Sequence, residues 1–397
     1  SGALFMVANR CSRFLEYNYS FWLLNKGNLP FFDKSTKKYL FTTFAIRLES
    51  TRVPFLSSTP LAGGGDTTMT IRIGIVGLGY LSSCFLYGLA LHREGRDIWT
   101  CLTNPVRDVV PVPLDDIELV RVFDIDGDKV GKSVGEVIRK YYPLPKGYYD
   151  DIIIEEGVCV ERDHVVKNIV SIWDHKKRGE TEMYLRGRMK DLDVLAICST
   201  TEPDVDMTSS KVYSLYALQE GVSVINGIPT PICGDEEYDY LARENKAVLM
   251  GNDFASGATP LTHDLLCHLS QHGRIPLNIA QWQYASNTDF LSLSDSSGRG
   301  AAKKRSKSRI ITTVYPGVDI PHYIGIDYIP PAHMDPDTKH MYMNIHYNTF
   351  AGTTNFITIT ARISDSPSAS VLLADMIRLV PLAKEKGDFV PQDLSAF

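Results

Sequence analysis

Apolar and polar positions follow two different patterns along the chain. From Met69 to about Leu261, short β-rich runs alternate with stretches of helical spacing. The pattern predicts strands over Thr70–Val76, Glu118–Phe123, Asp191–Cys198, Val222–Asn226 and Ala247–Met250. It predicts helices over Tyr80–Leu91, Lys129–Tyr141, Val212–Gln219 and Glu236–Glu244. Alternation of this kind argues for βαβ units around a parallel sheet. Beyond Leu261 the pattern changes. A helix over Leu261–Leu269 is followed by strands over Asn278–Tyr284, Arg309–Tyr315, Met341–Tyr347 and Phe356–Arg362, with no long helix expected between them. That predicts a second, mostly antiparallel sheet inserted into the first domain. A final helix over Pro367–Val380 is expected to return the chain to that domain. Ser366 would be its N-cap, Pro367 its first residue and Pro381 its stop.

Residues 1–68 fit neither pattern. They are rich in aromatics without a sustained period, and carry eight Lys or Arg against four acids before the glycine run Gly63–Gly65. A targeting peptide, a small extra module and translated upstream sequence compete. The absence of an amphipathic Arg/Ser pattern speaks against a transit peptide, and the expectation is a non-native or disordered extension. The resulting division is an extension over 1–68, a nucleotide-binding domain over 69–258, an inserted catalytic and oligomerisation domain over 259–366, and a returning helix over 367–397.

Composition narrows the class. The chain has 397 residues, 44% hydrophobic and 22% charged, which is ordinary for a globular protein. A net charge of −6 argues against a general nucleic-acid binder. No sequence run approaches the ~18–20 apolar residues of a membrane span, so no membrane partner is expected. Seven scattered cysteines without a CxxC pair read as reduced thiols in a cytoplasmic protein.

The first strand runs into Gly77-Leu78-Gly79-Tyr80-Leu81-Ser82, a GxGxxS turn one residue short of the strict dinucleotide fingerprint. Gly77 would permit the tight turn, Gly79 the approach of a pyrophosphate, and the following helix would offer unpaired N–H groups, so Tyr80 and Leu81 join the cofactor-binding candidates. Asp124 ends the second strand. There an acid can accept from the adenosine ribose hydroxyls and repel a 2′-phosphate, which favours NAD; capping of the next helix is the alternative. Ser199 and Thr200 follow the strand Asp191–Cys198, where they would either face the cofactor or cap a helix.

The most informative segment is Gly251 to Ser308. GNDFASGAT (Gly251–Thr259) follows a strand and opens a helix, a plausible anion site. NTDFL (Asn287–Leu291) and the basic cluster Lys303-Lys304-Arg305-Ser306-Lys307-Ser308 come next. A basic cluster is usually a solvated face, but this one stands between strands in an otherwise acidic chain. With GLGYLSS, FDID, INGIP (Ile225–Pro229), DPDTK (Asp335–Lys339) and SDSPSAS (Ser364–Ser370), these motifs in this order resemble the inositol-1-phosphate synthase family, in its short prokaryotic form. The resemblance runs from Met69 to about Pro391.

The resemblance implies an α/β protein: a Rossmann-like NAD-binding domain with an inserted mixed or antiparallel α+β domain. It implies an inositol-3-phosphate synthase, an isomerase that uses NAD catalytically. Glucose 6-phosphate would be oxidised at C5, enolised, closed by attack on the C1 aldehyde and reduced again to inositol 1-phosphate. By position, Lys303, Lys307, Lys339, Asp289 and Asp365 match catalytic residues. Lys303 and Lys339 would polarise the C5 oxygen and move protons. Ser256, Gly257 and Lys307 match phosphate-binding positions, and Asp253 an acid near the nicotinamide. A homotetramer assembled through the second sheet is also implied. Family members vary in metal use; a divalent or monovalent cation would sit near phosphate and NAD through Asp253 and backbone oxygens, and no His/Cys ligand set stands out.

Three departures stand against the family pattern. Ala255 replaces the usual lysine of its turn, Tyr80 replaces an asparagine, and the sequence stops at Phe397, just short of a further family lysine, which reads as truncation. Two other functions therefore compete: a net dehydrogenase of the semialdehyde or hydroxy-acid type, and a non-catalytic protein that binds NAD or a sugar phosphate.

Overall fold

In the computed structural model the described residues are 70–98, 112–159, 178–199, 209–254, 256–287, 289–291 and 298–391, with only the backbone of 178–179, 298–303 and 306. The expected extension over 1–68 lies outside them.

Six strands form a fully parallel sheet in the order β3-β2-β1-β4-β5-β6: β1 (Ile71–Val76), β2 (Ile117–Asp124), β3 (Glu155–Glu156), β4 (Val194–Ile197), β5 (Ser223–Asn226) and β6 (Leu249–Gly251). This is the doubly wound, Rossmann-like strand order, with its reversal between β1 and β4. Val194, Leu195, Ala196 and Ile197 are all fully buried, as a strand covered on both faces requires. Alternate residues serve different cores. Ile73, Ile75, Val194 and Ala196 pack on one side with helices α1 (Tyr80–Arg93) and α8 (Asp365–Lys386). Leu195 and Ile197 pack on the other with α3 (Arg178–Met189), α4 (Ser209–Gln219) and α5 (Glu236–Glu244).

The second sheet has the order β10-β9-β7-β8, from β7 (Pro276–Ala285), β8 (His322–Tyr328), β9 (Thr338–Asn348) and β10 (Thr354–Ser364). Three strands are antiparallel and β8 pairs parallel with β7, so the sheet is mixed. One face packs on α6 (Ala258–Gln271) and α7 (Gly298–Val314) through Met341, Met343, Ile345, Leu266, Leu269 and Ile311.

Three expectations are corrected. Arg309–Tyr315 is not a strand but the end of the 17-residue helix α7. Its β-branched run suggested extended chain, but Ile311, Val314 and Tyr315 bury one helical face, and packing overrides local propensity. The helix expected over Lys129–Tyr141 shrinks to α2, Val134–Ile138, because Gly131 adopts a left-handed φ of 83° and breaks it. The last helix starts at Asp365 and passes through Pro381 to Lys386, ending on left-handed Gly387. Its first N–H groups are satisfied from outside: Asp365 N–H donates to the Asp337 carbonyl at 3.0 Å and Ser366 N–H to Asp337 Oδ1 at 3.3 Å. By length and composition α8 could cross a membrane, but half of its apolar window is buried inside the protein, as in a core helix.

Candidate active site

A cleft of about 310 Å³ lies at the carboxyl ends of β1, β2 and β4. Ligands of open α/β sheets bind at this reversal of strand order. The floor is the turn after β1. Gly77 has a φ of 86°, its N–H donates to the Phe123 carbonyl at 2.7 Å, and a Cβ there would stand 2.6 Å from the Ser199 carbonyl oxygen. Only glycine fits both demands. Ser82 Oγ donates to the Gly77 carbonyl at 2.6 Å and fixes the turn. By contrast, a Cβ on Gly79 would meet nothing within 4 Å. That open space lies at the N-terminus of α1, which has no side-chain cap. The arrangement fits the pyrophosphate of a dinucleotide.

Asp124 is buried at the end of β2. Its Oδ2 accepts from Leu78 N–H at 2.8 Å and from Lys129 Nζ at 3.3 Å, and its Oδ1 from Asp126 N–H at 2.9 Å. The acid thus ties the glycine turn to the loop after β2. Ser199 lines the cleft near the end of β4; Thr200 lies outside the described residues.

The opposite wall comes from the second sheet and its flanking turns. Lys339, first expected from a motif, is 5% exposed on β9 and donates to Asp365 Oδ1 at 2.5 Å. Its ammonium lies 5.4 Å from the Phe290 ring centroid, within reach of a cation–π contact. Gly257, at a φ of 62°, leaves room for this pair, since a Cβ would stand 3.1 Å from Asp365 Oδ1. Asp253, Ser256, Asn287 and Asp289 line the same cleft. Asp253 has a φ of 68°, unusual for a non-glycine residue and typical of functional turns. The turn is braced by Asn252, whose Oδ1 accepts from Ile232 N–H, Cys233 N–H and Asn226 Nδ2, each at 2.9 Å.

Lys307, on α7, is 6% exposed and approaches Thr259 Oγ1 at 3.5 Å. It is not among the residues that line the cleft; it stands behind the Ser256–Thr259 turn that opens α6. Lys303 belongs to the same helix, and its side chain lies outside the described residues. The structure therefore brings Gly77, Gly79, Tyr80, Leu81, Asp124, Ser199, Asp253, Ser256, Asp289, Lys339 and Asp365 to one cleft.

Sequence reasoning passed over Lys129, Asp126 and Asp337. Asp337 Oδ1 accepts from Ser366 Oγ at 2.5 Å, and its Oδ2 from the Tyr142 hydroxyl at 3.4 Å. Burial pushes its carboxyl above the ordinary range, against hydrogen bonds from Ser366 and Tyr142, and the charge of Asp365 adds to the push. Among the described residues no group of three or more His, Cys, Asp or Glu side chains could hold a metal ion.

Comparison with known proteins gives consistent results. A family model described as Myo-inositol-1-phosphate synthase matches residues 257–366. The inositol-3-phosphate synthase of Mycolicibacterium smegmatis is 25% identical over 335 residues, covering 80% of this chain and 88% of that protein. Among solved structures, a myo-inositol-1-phosphate synthase-related protein from Thermotoga maritima is 32% identical with a TM-score of 0.69, covering 81% of this chain and 89% of that one. The inositol-3-phosphate synthase of Caenorhabditis elegans shares the fold, with a TM-score of 0.66 at 17% identity over 80% of this chain and 75% of that one.

Proposed function

The chain belongs to the myo-inositol-1-phosphate synthase family, and from that membership we propose that it converts glucose 6-phosphate to inositol 1-phosphate with the help of NAD. The observation that carries this reading is the shared cleft: a dinucleotide cradle at Gly77–Gly79 and a buried Lys339–Asp365 pair line one cavity.

Gly77, Gly79, the N-terminus of α1 and Asp124 would hold the cofactor, and Asp124 favours NAD by repelling a 2′-phosphate. When bound, NAD supplies a hydride acceptor for C5 of the sugar and returns that hydride at the end. The protein's own groups handle charge and protons. Lys339 would stand as a fixed cation beside the C5 oxygen, where water is excluded and its charge acts strongly. Once C5 is a ketone, the C6 proton is acidic, and the resulting enolate attacks the C1 aldehyde to close the ring. Asp365 holds the Lys339 ammonium in place through that sequence and is itself held at the N-terminus of α8. Asp289, on the same wall, is a second candidate for proton transfer.

The phosphate would rest on the Ser256–Gly257 turn at the start of α6, with Lys307 behind it. Two features support this: Gly257 gives α6 no side-chain cap, and Lys307 is buried beside Thr259. Lys303 remains the family's second catalytic lysine in this proposal. A cation near Asp253 remains part of the proposal as an optional participant.

Self-association is proposed as well, as a homotetramer. The outer face of the second sheet exposes Trp282, Tyr323, Tyr342 and Phe356, more aromatic surface than a sheet face in water usually carries. A second copy of the chain would cover it.

The test is direct. The protein is incubated with glucose 6-phosphate and NAD, and the products are assayed. Inositol 1-phosphate without net accumulation of reduced nicotinamide supports the reading. A steady rise of reduced nicotinamide would mark a net dehydrogenase. Cofactor binding without turnover would mark a binding protein.

A further inference from the structure

The ribose end of the cleft holds a cation that the reading above does not use. Lys129 lines the cleft beside Asp124 and Asp126, its side chain 15% exposed. Its ammonium lies 3.3 Å from Asp124 Oδ2 and 3.7 Å from Asp126 Oδ2. The loop that carries it is hydrogen-bonded within itself. Lys129 N–H and Val130 N–H both donate to the Asp126 carbonyl, at 2.9 and 3.0 Å, and Asp128 N–H donates to Asp126 Oδ1 at 2.9 Å.

A count of lone pairs shows why the lysine matters. A carboxylate offers about four acceptor positions. On Asp124, Leu78 N–H and Lys129 take two at Oδ2, and Asp126 N–H takes one at Oδ1. One position is left, yet an adenosine ribose presents two hydroxyls. An ammonium has three donors; on Lys129 one reaches Asp124, the ammonium also faces Asp126 at 3.7 Å, and the residue lines the cleft. Burial would lower its pKa, but Asp124, Tyr141 and Asp126 outweigh burial and hold it above its ordinary value, so it stays charged.

We propose that Lys129 is a direct ligand of the adenosine ribose, donating to one hydroxyl oxygen while Asp124 accepts from the other hydroxyl. The inference rests on the NAD reading. It makes the ribose site a mixed pair of donor and acceptor rather than a single acid, with the ammonium set between two carboxylates.

The experiment is a calorimetric titration of the full chain with NAD and with the NAD analogue that lacks both adenosine ribose hydroxyls. Wild type, Lys129→Met and Lys129→Gln are compared. A hydrogen bond from a charged donor is worth enough to change affinity about tenfold. Lys129→Met is expected to bind NAD about tenfold more weakly than wild type and to bind the analogue as wild type does. Lys129→Gln, which keeps an amide donor in similar volume, is expected to lose less, again for NAD alone. Equal losses for both ligands would mean that Lys129 only braces the loop, and would overturn the inference. So would a wild type that binds both ligands equally. A wild type that binds neither overturns the dinucleotide reading itself and this inference with it.

Discussion

Lys339 is where the proposed chemistry concentrates. It is buried, paired with Asp365 and close to the Phe290 ring. Lys339→Ala removes a cation that would act on the reacting oxygen, and about 10²–10⁴-fold of turnover should go with it. It also removes the ammonium partner of the half-buried Asp365, so the melting temperature should fall. Lys339→Arg separates the two effects. It keeps the ion pair, so its melting temperature should stay nearer wild type than that of the alanine variant, while product formation measured under saturating glucose 6-phosphate still falls. Full activity in the arginine variant would deny Lys339 any role in proton transfer. Lys339 and Asp365 stood out in the sequence only as members of family motifs, 26 residues apart, and nothing local announced their contact. Lys129 was legible only as part of a helical pattern that the fold does not adopt; in the structure it sits in the turn before α2 and meets Asp124.

At the scale of elements, five strands of the parallel sheet were legible because each is a short, largely apolar run bounded by turn residues; β3, with only Glu155 and Glu156, carries no such signal and was not expected. The glycine turn was legible because steric demand at Gly77 leaves no other residue type. The helix α7 was misread and the start of α8 misplaced for one physical reason: both depend on distant partners. Buried contacts with the second sheet turn the Ile310–Val314 run into helix, and Asp337, just before β9, supplies the cap of α8. That cap yields a prediction. Burial and Asp365 raise the folded pKa of Asp337 above its ordinary 3.8. The native state then holds this proton more tightly than the unfolded chain. The contribution is fully present below the ordinary value and is lost as pH rises through the raised one. Thermal melts of wild type and Asp337→Asn across that window should differ in slope, with the wild type falling more steeply as pH rises. Parallel curves would mean that Asp337 titrates as in the unfolded chain.

At the scale of the whole molecule, the cleft joins two sheets that carry different tasks. The six-stranded sheet provides the turn that fits a dinucleotide, and the four-stranded sheet provides Lys339 and, through β10, the approach to Asp365. The outer face of the smaller sheet is the surface on which assembly is proposed. Phe356, 64% exposed and in edge contact with His346, sits on it. Phe356→Glu places a charge where another copy would pack. Light scattering after size exclusion should then report a smaller species than wild type, while a wild type already monomeric would remove the assembly proposal. Three of these strands were legible as apolar and aromatic runs and β8 was not expected; which face meets solvent and which meets another chain is not encoded in a period of two.

The central claim is that a hydride leaves the sugar and returns to it within one cleft. Glucose 6-phosphate carrying deuterium at C5 tests that claim most directly, with the inositol phosphate product analysed by mass spectrometry and NMR. Retention of one deuterium in the product, with no labelled reduced nicotinamide building up in solution, is the predicted result. Unlabelled product, or deuterium that accumulates on the released cofactor, would contradict it.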